Sequence, residues 1–121
     1  MFRIMLKSKI YYATVSEAKL YYKGSITIDK DLIEAAGLVA GERVDVLNQT
    51  NGARLRTYVI EGKRGSGVIC LNGPAARSGY RGDKLVILSY ALYGEDEIKN
   101  LKAKFVELDE QNKIAHTSLG R

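Results

Sequence analysis

The chain has 121 residues, 45% of them hydrophobic, with one proline and one cysteine, enough for one domain with a real core. One cysteine excludes an intrachain disulfide, and one histidine leaves little for a metal site or a Ser-His-Asp triad. The net charge of +5 favours anionic partners in general, but the lysines are scattered among glutamates, without the basic block of a nucleic-acid arm. No signal peptide is visible and no apolar run approaches a membrane span, so the expectation is a cytoplasmic protein that does not contact membranes.

Residues 2–18 read as strand. Tyr11, Ala13 and Val15 alternate with Tyr12, Thr14 and Ser16, and Glu17-Ala18-Lys19 breaks the pattern. Tyr21 to Asp29 is a second extended stretch that runs through Gly24-Ser25. Asp29 or Asp31 can cap a short helix with Leu32, Ile33 and Ala36 on one face, and Gly37 is a fitting stop. Gly41 to Leu47 is a turn followed by an alternating strand, and Asn51-Gly52 is a hairpin signal that returns the chain as Ala53 to Ile60. Lys63 to Gly67 is a second turn. Val68 to Leu71 is a buried strand, in which Cys70 reads as a core residue. Asn72 to Ala76 is a tight connection, Gly82 to Leu88 another turn and strand, and the acidic segment after Gly94 a helical turn. Lys104 to Leu108 is a final strand, and about 112–121 is expected to be a frayed, flexible tail.

Two pieces match. Gly41 to Leu47 resembles Gly82 to Leu88 at an offset of 41 residues, each preceded by an Ala-Ala pair. A small, closed barrel with two-fold pseudosymmetry would produce this repeat, and closure would remove its exposed edges.

Gly24-Ser25 is the stretch with chemical potential. Gly24 lacks a Cβ and leaves its carbonyl open to approach, and Ser25 carries a hydroxyl one residue beyond it. In a strained turn that hydroxyl can attack the Gly24 carbonyl, turning amide into ester. The dipeptide alone is a common turn, so the other residues have to decide.

Lys9, Tyr22-Lys23-Gly24-Ser25, Thr50-Asn51-Gly52, Arg54, Thr57-Tyr58 and Asn72-Gly73 together resemble the aspartate 1-decarboxylases of pantothenate synthesis, from about residue 1 to residue 97. The resemblance implies a mainly β fold, a small six-stranded double-psi β-barrel with short helices, forming one domain over 1–121 and assembling as a homotetramer. It implies self-cleavage into 1–24 (the β chain) and 25–121 (the α chain), with a pyruvoyl group made from Ser25 and no metal or pyridoxal phosphate. Some members need a maturation factor. This chain departs from many members at Tyr11, where they carry histidine, at Pro74, where they carry alanine, and at Leu47, where some carry tryptophan.

The same resemblance assigns roles. L-aspartate would form a Schiff base with the group at residue 25, which takes up electrons as CO2 leaves. Thr57 would stand by the Gly24 carbonyl. Tyr58, protonated at neutral pH with a reference pKa of about 10, would return a proton to the former α-carbon. Arg54 would fork onto a substrate carboxylate and Lys9 would add a second positive charge. Asn72 would donate to the substrate or to an enolate-like oxygen, with Gly73, Pro74 and Ala75 completing the substrate contacts. Two other classes remain open at this point: a non-enzymatic basic β-barrel that binds nucleic acid, and an N-terminal nucleophile hydrolase that would keep a free Ser25 amine.

Overall fold

The structure, a computed structural model, describes residues 1–120. Strand β1 (Phe2–Thr14) is followed after two residues by β2 (Glu17–Lys19), and the two form one bent run. The bend has a local cause. Tyr12 has φ 63°, and the register with the later strand Lys84–Gly94 shifts between Ile10 and Ala13, which is a bulge. The bulge resets the phase, so Ile10 and Ala13 are both buried. The chain then changes partner: the Val15 N–H donates to Asp83 O and the Ser16 N–H to Ile69 O, both at 2.9 Å. Glu17-Ala18-Lys19, expected to end the strand, therefore pairs in parallel with Ile69–Asn72.

The remaining elements are β3 (Ser25–Asp29), α1 (Lys30–Ala36), β4 (Arg43–Asn48), β5 (Arg54–Gly62), β6 (Ile69–Asn72), a 3₁₀ helix (Gly73–Ser78), β7 (Lys84–Gly94), α2 (Glu95–Ile98), β8 (Ala103–Leu108) and β9 (Ile114–Gly120). The hydrogen-bonded order is β2-β6-β3-β5-β4-β7-β1-β8-β9. Because β1 and β2 are one run of chain, the two sides of this order meet covalently. The result is a ring of six strands: β1–β2, β6, β3, β5, β4 and β7.

The ring has internal two-fold symmetry. Exchanging β1–β2 with β5, β3 with β6, and β4 with β7 maps four of the ladders onto one another in pairs of the same sense and the β3/β6 and β4/β7 ladders onto themselves. Parallel β3/β5 maps onto β6/β2, and antiparallel β4/β5 onto β7/β1. The turns obey the same rule. Gly41 N–H donates to Val59 O and Val59 N–H to Glu42 O; Gly82 N–H donates to Val15 O and Val15 N–H to Asp83 O. The 41-residue sequence repeat is thus one device used twice, as the six-stranded double-psi expectation requires.

Inside the ring lie Ile26, Ile28, Val44, Val46, Val59, Ile69, Leu71, Leu85 and Ile87, all essentially buried. Each such side chain contributes about 1.5–3 kcal/mol by leaving water. Helix α1 closes one end with Leu32, Ile33 and Ala36. Asp29 caps it by accepting from Asp31 N–H at 2.8 Å, and Gly37 ends it in the left-handed region at φ 69°. The tail expected to be frayed instead carries β9, whose whole length pairs with β8. Asn112 secures its approach: its Nδ2 donates to Thr14 O and Gly67 O, and its Oδ1 accepts from Thr14 N–H.

Candidate active site

The site is built where β3 begins between β5 and β6. Ser25 stands opposite Asn72, and the parallel β3/β5 register starts at Ile26 opposite Val59. Continuing that register back by one residue sets Ser25 beside Tyr58, and by two sets Gly24 beside Thr57. Two rows result: Tyr58–Ser25–Asn72, and Thr57–Gly24–Gly73. Side chains alternate along a strand. Ile26, Leu71 and Val59 point into the ring, so Ser25, Thr27, Cys70, Asn72 and Tyr58 lie on its outer side.

Outer side does not mean exposed. Ser25 is 0% exposed and Asn72 2%, whereas Tyr58 is 39% exposed. The Ser25 hydroxyl donates to Lys23 O at 3.2 Å and accepts from Asn72 Nδ2 at 3.0 Å. Asn72 Nδ2 also donates to Thr27 Oγ1 at 2.9 Å, and Asn72 Oδ1 accepts from Cys70 Sγ at 3.2 Å. Burial pushes the Cys70 thiol pKa up, and Glu17 adds to that rise, so it stays a donor.

Gly73 fixes the approach of the two segments. Its φ is 62°, and a Cβ there would lie 2.5 Å from Tyr22 O and 2.8 Å from Gly24 N. Only glycine fits, and it lets the start of the 3₁₀ helix press on the Tyr22–Gly24 backbone. Pro74 follows as the second residue of that helix, still in its first turn, where its missing N–H costs nothing. Its Cδ would stand 3.2 Å from a Cβ at Gly24.

One open pocket has Gly24, Thr57, Tyr58, Pro74, Ala75 and Ser78 in its wall, with Leu55 and Arg56. Strand alternation alone sends Thr57 and Tyr58 to opposite faces. Both line this pocket because β5 is paired with β4 from Arg54 to Tyr58, while β3 joins its other edge only at Val59. The pocket opens at that unpaired edge, which both faces can reach.

Arg54 and Lys9 are farther off. Arg54 lines the adjoining depression with Leu47 and Asp45, which shares Leu55 and Arg56 with the Gly24 pocket. Among the described residues no carboxylate pairs with Arg54. Lys9 is opposite Leu88 on β1, with its ammonium 5.5 Å from the centre of the Tyr11 ring. Lys9 lines neither the Gly24 pocket nor the depression beside it. One chain therefore brings together Gly24, Ser25, Thr57, Tyr58, Asn72, Gly73, Pro74 and Ala75, places Arg54 at the border, and leaves Lys9 outside.

The family model described as aspartate decarboxylase matches residues 1–115. The chain belongs to the aspartate decarboxylase family. It is 55% identical over 114 residues to the aspartate 1-decarboxylase of Bacillus velezensis, covering 94% of this chain and 90% of that protein. The aspartate 1-decarboxylase of Bacillus subtilis is 54% identical over the same shares. Among solved structures the chain is similar to the rationally designed protein mkDPBB_sym_86, with a TM-score of 0.48 and 19% identity, over 62% of this chain and 88% of that one.

Within this family member, two residues on the Ser25 hydrogen-bond path were not among the candidate site residues: Thr27, and Cys70, which the sequence placed in the core. A signal for them existed. Thr27 is two residues from Ser25 and Cys70 two from Asn72, so period two puts all four on one face. Reading Val68 to Leu71 as a core run hid it, because Ile69 and Leu71 do point inward while Cys70 does not.

Proposed function

We propose that this chain decarboxylates L-aspartate to β-alanine and CO2, in pantothenate synthesis, after its Gly24–Ser25 bond rearranges and breaks to leave a pyruvoyl group at residue 25. The observation that carries the reading is the fully buried Ser25 hydroxyl held by Asn72 beside Gly24, in a member of the aspartate decarboxylase family.

The residues suit the rearrangement. Ser25 Oγ attacks the Gly24 carbonyl carbon, and its proton passes to the departing amide nitrogen, leaving an ester and a free amine. Removal of the Ser25 α-proton expels the Gly24 carboxylate and leaves dehydroalanine at residue 25. Water then adds and ammonia leaves, giving the ketone. A neutral serine is a weak nucleophile and depends on placement. Asn72 gives that placement, and its N–H can stay on the same oxygen as hydroxyl becomes ester and then carboxylate. The Thr57–Gly24 row supports Thr57 as the donor to the oxyanion that forms on Gly24.

The residues present also fit the finished group: a buried amide donor stands at residue 25, and Gly24, Thr57, Tyr58, Pro74 and Ala75 wall a pocket beside it. Once formed, the pyruvoyl group supplies the electron sink for loss of CO2, the part pyridoxal phosphate plays elsewhere. Tyr58, in the row of Ser25 and partly open to solvent, returns the proton. Arg54 grips a carboxylate through its planar fork, with Gly73, Pro74 and Ala75 shaping the other wall. Lys9 lines neither hollow within one chain, which supports assembly as a homotetramer in which a neighbouring copy brings it in. Among the described residues no helix is long and apolar enough to cross a membrane, and we place the enzyme in the cytoplasm. A maturation factor, where required, would act on the same bond.

The test is the release of CO2 and β-alanine from aspartate by the purified wild type and by Ser25→Ala. Turnover by the wild type alone supports the reading. Turnover by Ser25→Ala above background overturns it.

A further inference from the structure

The polar groups on the outer face of β3 and β6 form a chain that ends at Cys70. Asn72 Nδ2 spends one N–H on Ser25 Oγ at 3.0 Å and the other on Thr27 Oγ1 at 2.9 Å. Its Oδ1 lies 3.2 Å from Cys70 Sγ. The two ends of an asparagine amide are nearly the same shape, so their partners decide which end faces which. Turned over, the amide would put Oδ1 on the two hydroxyls. The Ser25 hydroxyl would then donate to Asn72 and abandon Lys23 O. Nδ2 would face the sulfur, a weak acceptor. Two contacts separate the orientations: the Ser25 bond to Lys23 O and the thiol proton on Asn72 Oδ1.

We propose that Cys70 is a positioning residue for Ser25: its thiol donates to Asn72 Oδ1 and so keeps the amide nitrogen, and not the amide oxygen, on the Ser25 hydroxyl. The inference rests on Ser25 being the nucleophile toward Gly24. Orientation matters to that reaction. With N–H on Oγ, the oxygen keeps a donor as it becomes ester and then leaves as part of the Gly24 carboxylate. With Oδ1 on Oγ, both later species would meet an oxygen lone pair where they need a donor. Burial supports the assignment, since Cys70 is 3% exposed and its thiol pKa is raised, so the proton stays on sulfur.

Three variants separate positioning from packing. Cys70→Ser keeps a donor and loses volume. Cys70→Val keeps volume and loses the donor. Cys70→Ala loses both. The full-length proteins are purified and the appearance of fragments 1–24 and 25–121 is followed by mass, with thermal midpoints recorded alongside. Cys70→Ser should cleave within about twofold of the wild type, and Cys70→Val and Cys70→Ala about threefold to tenfold more slowly, the worth of one modest hydrogen bond. Thermal midpoints should not follow that order. If Cys70→Val matches the wild type while Cys70→Ser is slow, Cys70 only fills space and the proposal is overturned; equal rates in all four proteins also overturn it. A wild type that never cleaves defeats the Ser25 reading instead. Cys70 is then judged in a Ser25→Ala background by NMR. Slow exchange of the Asn72 side-chain amide protons in Cys70 and Cys70→Ser, and faster exchange in Cys70→Val, supports the proposal. Equal exchange contradicts it.

Discussion

Thr57 and Tyr58 are adjacent, line one pocket and occupy different rows, Thr57 with Gly24 and Tyr58 with Ser25. In the proposed reaction they serve different stages. Thr57→Val keeps the shape and removes the hydroxyl, so it should block or greatly slow chain cleavage. Tyr58→Phe should cleave at the wild-type rate and then lose kcat by about 10²–10⁴-fold, the range for a missing general acid. Fragment mass and β-alanine formation, measured on both variants, check the pair; a Tyr58→Phe that fails to cleave beside a Thr57→Val that cleaves normally would reverse the assignment. Arg54→Lys keeps charge and loses the fork, so cleavage should proceed while kcat/KM for aspartate drops sharply. Gly73 is a different kind of residue, needed for its missing Cβ. Gly73→Ala, in the left-handed region and against Tyr22 O and Gly24 N, should cost about 1–3 kcal/mol in thermal stability and disturb cleavage further by shifting Gly24.

At the level of elements, the start of α1 is also an anchor. The Asp29 carboxylate accepts from Asp31 N–H at 2.8 Å, Gly65 N–H at 3.0 Å and Gly67 N–H at 2.8 Å, tying β3 to the 63–67 turn. Burial alone would push its pKa up; the Gly67, Asp31 and Gly65 donors, with Lys113 nearby, outweigh that and hold it below the usual range. Its folded value is thus below its unfolded one. The stabilisation is complete above the unfolded pKa, near 4, and is lost as pH falls through the folded value. The thermal midpoint of the wild type should therefore decline from about pH 5 towards about pH 3, and Asp29→Asn should be less stable at neutral pH with a shallower decline. Much of this element was readable: the cap, the buried face Leu32, Ile33 and Ala36, and the Gly37 stop all follow from local chemistry. The Gly65 and Gly67 donors were not, because they come from a turn more than thirty residues away. The change of partner at Val15–Ser16 was hidden for a related reason. Alternation through Tyr11, Ala13 and Val15 looks like one strand, and the Tyr12 bulge that breaks it leaves no mark in residue type. The strand β9 was missed because its residues are almost all exposed and so lack the pattern that betrays a buried face.

Across the whole molecule, the ring explains why so short a chain can hold a reactive bond. Two copies of one strand-turn device, at Gly41–Glu42 and Gly82–Asp83, close six strands and bury the interior from both halves. The Gly24–Ser25 bond sits where β3 starts, with Ser25 paired to Asn72 of β6 and the β5 edge beside it open to the pocket, so the barrel and not the Gly-Ser dipeptide sets its geometry. The sequence resemblance could name Gly24, Ser25, Thr57, Tyr58 and Asn72 as one group, and the structure gives the reason they share a site: Ser25 pairs with Asn72, and Gly24, Thr57 and Tyr58 wall one pocket beside it. Lys9 lay beyond that logic, since within one chain it lines neither hollow. Whether the Gly24–Ser25 bond breaks to leave a ketone at residue 25 is read from the mass of the purified, incubated wild-type protein. Fragments 1–24 and 25–121 are expected, the second carrying a group that reacts with hydrazines. A preparation fully active on aspartate that remains one intact chain, or a 25–121 fragment with a free serine amine, would contradict this.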